Sequence, residues 1–165
     1  MSWPQVISKG KKYDLSHLED FSRDIIIEGA RITLSISFGP HVFCDEKANG
    51  DQIPFLAAER YFCIARYEES FNVVHHMANR FEAGHVRVFK KSKKINGDWV
   101  SEEQMYQTEL EGVAIFMIIR HPDPGVLHLK VISSYPLKSI HTLPKGKLYT
   151  VMVALKRKLA DLPLI

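Results

Sequence analysis

Ile32, Leu34, Ile36 and Phe38 recur at every second position, with Thr33, Ser35 and Ser37 between them. Alternation with one polar face is the pattern of a half-buried antiparallel strand. It constrains the fold more than any other feature, because such a strand needs sheet neighbours and a layer over its apolar face. Asp24 to Ile27 reads as its hairpin partner across Glu28-Gly29-Ala30, and Gly39-Pro40 is expected to break or bend it. His85 to Phe89 reads as a further strand, with Val86 and Val88 on one face and His85, Arg87 and Phe89 on the other. Gln107 to Ile119 reads as one long central strand, apolar on both sides from Val113, and Val126 to Tyr135 as the next, closed by Pro136.

Two segments have helical spacing. Over 66–80, Tyr67, Phe71, Val74, Met77 and Ala78, with Phe81 beyond, form one stripe, Ser70 lies inside it, and His76 falls opposite. Leu148, Val151, Met152, Leu155, Leu159 and Leu162 predict an amphipathic C-terminal helix with a basic side. A chain of 165 residues has the length of one domain. The expectation is a single α+β domain over 1–165. It has a curved, mainly antiparallel sheet of four to six strands, a packed helix over 66–80 and the C-terminal helix.

Charge is distributed unevenly. Residues 1–82 carry nine basic and twelve acidic side chains, and residues 83–165 carry thirteen and seven. Lys90, Lys91, Lys93 and Lys94 crowd a segment read as a basic loop around the turn signal Asn96-Gly97, flanked by Phe89 and Trp99. A second cluster is Lys156-Arg157-Lys158. Such clusters suit phosphate or an acidic partner, and also suit plain solvated surface. The longest apolar run, Val113 to Ile119, is too short to span a bilayer, and the N-terminus has no signal-peptide core. No membrane partner, a cytoplasmic location and two free thiols, Cys44 and Cys63, are expected.

Several segments together resemble a family of small uncharacterised bacterial proteins of prophages and other mobile elements. They are Tyr13 to Leu18, Phe38 to Phe43, Arg60-Tyr61-Phe62 with Arg66-Tyr67 and Ser70, and Gly125 to Leu129 leading into Val131 to Tyr135. That resemblance implies no activity and transfers no functional residues. Separately, the strand ending Ser133-Ser134-Tyr135-Pro136 is similar to the final strand of small ribonuclease toxins of the RelE, barnase and colicin type.

Metal-free RNA cleavage needs a base, an acid and cations for the phosphorane, tasks that suit histidine and arginine. The candidates are His41 and His85 for the protons, Arg66 and Arg87 for the phosphate, and Tyr135 to orient it. Arg60 and Ser134 lie near in sequence, and the four lysines would draw in the strand. A zinc set of His41, Cys44, Cys63 and His75 or His76 is the weaker pattern, since only His41-x-x-Cys44 has a ligand-like gap. The chain lacks a phosphate loop, a nucleophile elbow and HExxH, so no cofactor or metal is expected. Two functions stand: an RNA-binding or metal-independent ribonuclease-like toxin domain, or a non-catalytic protein that binds and blocks a host complex.

Overall fold

The computed structural model describes residues 2–139 and 142–165. In chain order the elements are β1 (Val6–Ser8), β2 (Lys11–Tyr13), β3 (Phe21–Ile27), β4 (Ala30–His41), β5 (Cys44–Asp45), β6 (Tyr61–Phe62) and α1 (Ile64–Asn79). They continue with β7 (His85–Ile95), β8 (Asp98–Gln107), β9 (Val113–Asp123), β10 (Val126–Pro136), β11 (Lys147–Thr150) and α2 (Val151–Leu159). Seven strands form the main sheet in the order β11-β7-β8-β9-β10-β4-β3. The α+β class is as expected, but the sheet has seven strands where four to six were expected, and it is not strongly curved. All its pairings are antiparallel except β4 with β10, which run parallel.

The alternation of β4 is realised: Ile32, Leu34, Ile36 and Phe38 are buried, and Thr33, Ser35 and Ser37 are partly exposed. Gly39-Pro40 does not end the strand, which runs on to His41. A Cβ on Gly39 would stand 3.2 Å from the carbonyl oxygen of Ile132, so glycine there lets β10 approach closely. Pro40, with no N–H to give, lies where the β4–β10 register slips between Val131 and Ser133. The expected strand over 107–119 is two strands, β8 and β9, parted by a turn with Gly112 at φ 75°. The expected basic loop is itself the β7–β8 hairpin. Only Asn96 and Gly97, both at positive φ, form its turn.

Helix α1 packs through a stripe that overlaps the expected one, with Ser70 and Met77 buried and Tyr67 and Val74 half-buried against the core, but it is rotated toward Val73 and His76. Ser70, Val73, His76 and Met77 are buried, while Phe71 is 47% exposed. Phe71 lies flat on the His17 ring, centroids 3.7 Å apart, at the helix flank. His76, expected to face away, donates from Nε2 to Gln107 Oε1 across 2.7 Å in the core. Helix α2 is shorter than the spacing predicts, because Lys147–Thr150 pairs with β7 as a strand. Its N-cap Thr150 hydroxyl accepts from the Val153 N–H. Among the described residues, no helix is long and apolar enough to cross a membrane.

Candidate functional site

Past Gly39-Pro40, His41 comes opposite Ser133 at the end of the β4–β10 pair. The slip between Val131 and Ser133 also acts on the β9 side. Val131 pairs with Met117 in the core, but Ser133 pairs with Phe116, and Tyr135 packs edge-on against the Phe116 ring. A bulge of this kind re-aims the side chains that follow it. The β5–β6 pair then delivers Cys63 to the start of α1, and the first turn of that helix carries Arg66 to the same place.

These turns build a cleft of about 440 Å³ lined by His41, Asp45, Glu46, Lys47, Arg60, Cys63, Ala65, Arg66 and Tyr135. A second hollow of about 580 Å³ shares His41, Glu46 and Tyr135 with it and adds Phe89, Lys91, Gln104, Phe116, Ser133 and Thr142. Arg66 donates to the carbonyls of His41 (3.1 Å) and Cys44 (2.7 Å), not to the neighbouring Glu69, and its guanidinium lies 4.6 Å from the Tyr135 ring centroid. Arg60 donates from Nε to His41 Nε2 at 3.3 Å and reaches Glu46 at 3.4 Å. Cys63, the N-cap of α1, makes no side-chain cap bond, and the first turn holds no acid. No side chain caps the helix start, so the positive end of the helix dipole lies at the cleft, where Asp45 and Glu46 are the acids and Glu46 is engaged by Arg60.

Burial lowers the pKa of His41 below 6.5. The guanidiniums of Arg60 and Arg66 press the same way, against Glu46, and Lys91 adds to them. His41 is thus a neutral imidazole at neutral pH, able to accept a proton. Burial pushes the Cys44 thiol up to about 11.

Of the five candidate catalytic residues, the fold brings His41, Arg66 and Tyr135 together and leaves His85 and Arg87 elsewhere. Those two line a separate depression with Tyr106 and Glu109. Glu109 lies 3.7 Å from the His85 ring, and Arg87 donates to the Gly146 carbonyl. The four lysines divide as well: Lys91 lines the second hollow beside the cleft, whereas Lys93 binds Glu102 at 2.7 Å and lies with Lys90 in another hollow. Ser133 and Ser134 are both buried, and of the two Ser133 lines the second hollow. Sequence reasoning missed Glu46 and Lys47, whose only signal is their place in the polar loop after His41. Phe116 was hidden in an apolar run.

The zinc set does not assemble. His76 is held by Gln107, His75 contacts Asn79, and Cys44 is buried. Among the described residues no group of three or more His, Cys, Asp or Glu is placed to hold a metal ion. Another grouping, His17 Nε2 at 2.6 Å from Ser70 Oγ with Asp14 nearby, looks like a hydrolytic triad. Ser70 is fully buried and donates to the Tyr67 carbonyl, and the Asp14 carboxylate is taken by Ser16. The group therefore ties the N-terminal segment to α1.

The model of the YjaZ family matches residues 5–159. No curated protein and no solved structure matches the chain.

Proposed function

The chain belongs to the YjaZ family, and since that name assigns no reaction we propose, from the cleft, that the protein binds the phosphates of an RNA strand there. The observation that carries the reading is the meeting of Arg60, Arg66, His41 and Tyr135 around one opening at the uncapped start of α1. Guanidiniums fork onto phosphate, and the adjoining Phe89, Phe116 and Tyr135 rings offer faces for bases. The similarity of the strand end at Tyr135 to small ribonuclease toxins points the same way. A neutral His41 is fit to take the proton of a ribose 2′-hydroxyl once a ligand frees Nε2 from Arg60. The acid half of a two-histidine exchange is not supplied by His85, which lies in another depression. The reading therefore commits to binding, and cleavage would extend it.

The test is fluorescence anisotropy of a labelled oligouridylate titrated with protein over a range of salt. Binding to single strands should weaken with salt at a slope of about −0.7 per phosphate contacted. Arg60→Gln should flatten that slope by about one contact's worth. Arg60 is the variant of choice because Arg66 also holds two backbone carbonyls. Salt-insensitive or absent binding sinks the proposal and favours the protein-blocking reading. Growth arrest on expression, lost with His41→Ala, would add toxin activity of the mobile-element type.

A further inference from the structure

The β7–β8 hairpin outruns the sheet. Strand β8 pairs with β9 only through Met105, Tyr106 and Gln107, so the hairpin beyond Phe89 and Gln104 is a two-stranded ribbon. Such ribbons are marginal in water and gain nothing from exposed apolar groups. This one carries three at its tip: Trp99 is 73% exposed, Ile95 44% and Val100 40%. The last three rungs are Ile95 opposite Asp98, Lys94 opposite Trp99, and Lys93 opposite Val100. Each rung holds one apolar residue, and two set a lysine beside it. Behind them comes the Ser92–Ser101 rung, then Lys91 opposite Glu102 and Lys90 opposite Glu103.

The acids behind the tip are occupied. Glu102 binds Lys93 and faces Arg120, and Glu103 pairs with Lys158 and accepts from the Leu164 N–H. No acid pairs with Lys90, Lys91 or Lys94 among the described residues, so the collar behind the apolar tip is positive. We infer that this hairpin tip docks end-on into the interface of an anionic lipid bilayer.

Pleat geometry decides for lipid over nucleic acid. Lys94 and Trp99 share one face of the ribbon, and by alternation Ile95 and Val100 share the other. No single face therefore offers a platform for a row of bases, whereas end-on insertion uses both. Three rungs at about 3.3 Å each span about 10 Å, the depth to which interfacial segments bury. Tryptophan settles at that level, and lysines behind it meet anionic headgroups. The ribbon lies on the membrane and does not cross it, and the inference is independent of the RNA cleft.

Co-sedimentation of the full chain with phosphatidylcholine vesicles, with and without phosphatidylglycerol, tests it. The protein should pellet only with the anionic vesicles and be released by high salt. Lys94→Gln should weaken partitioning about fivefold, Trp99→Ser should abolish most of it, and Asp98→Asn should strengthen it. Tryptophan emission should shift to the blue on anionic vesicles in the wild type and not in Trp99→Phe. All three positions are exposed, so circular dichroism should show each variant folded. The inference fails if anionic vesicles pellet no protein, if pelleting is indifferent to Trp99, or if Trp99 instead governs binding to an oligouridylate.

Discussion

Cys44 lies in the β5–β6 pair and Cys63 directly follows it, yet their surroundings differ. Cys44 is fully buried, and its thiol is pushed to about 11, whereas Cys63 sits at the start of α1 and lines the cleft. Thiolate is the reactive form, so exposure and acidity decide the order of reaction. A thiol reagent should modify one cysteine of the native protein readily, with peptide mapping locating it at Cys63, and the second only after denaturant. Equal rates for both would mean that the β5–β6 pair opens freely. Arg66 shows how far a single residue's role was readable. That Arg66 would lie near His41 was legible from an arginine following the bend expected at Gly39-Pro40. Its hold on the carbonyls of His41 and Cys44 was not, because carbonyl direction depends on the turn after β4.

Among the elements, α1 is the instructive case. Its apolar residues fit two overlapping stripes, and the one with more aromatic area, Tyr67 and Phe71, is the flank. The core takes Val73, Met77 and the polar pair Ser70 and His76, because His17 and Gln107 satisfy those two groups. Phe71→Ala should therefore cost about 1 kcal/mol, the scale of a partly exposed ring contact. Met77→Ala should cost about 2–5 kcal/mol, the scale of a fully buried truncation. Urea unfolding of the two variants orders them, and the reverse order would restore the stripe read from sequence. Strand β11 offers a second measure. A Cβ at Gly146 would stand 2.3 Å from the Val88 carbonyl oxygen, with backbone on both sides of the clash. Gly146→Ala should part β11 from β7, seen as faster hydrogen exchange at Lys147–Thr150 while α1 stays protected. The Asn96-Gly97 turn was legible, but its flanks read as a loop because lysines hide period two when both faces are wet.

At the scale of the whole molecule, stability answers to pH through His17 and His41. Burial lowers both below 6.5, for His17 against the pull of Asp14. The unfolded chain then binds more protons than the folded one between the lowered values and 6.5, so stability rises with pH across that window. It should be complete above about pH 7 and decline as the pH falls below 6.5. The urea midpoint measured at several pH values checks the sign, and His17→Gln should shallow the decline. The strands over 126–135 and 31–38 were legible one at a time, from alternation and breakers. That they lie side by side and parallel was not, since nothing local in either announces a neighbour so distant in the chain. That seam has a temporal consequence. The β3–β4, β7–β8 and β9–β10 hairpins each close from residues near in sequence, but β4 waits for β10. During synthesis the ribosome must release residues beyond Ser133 before His41 acquires its neighbour, and Tyr135 emerges later still. The cleft is consequently among the last features to exist, and an unfinished chain has no use of it.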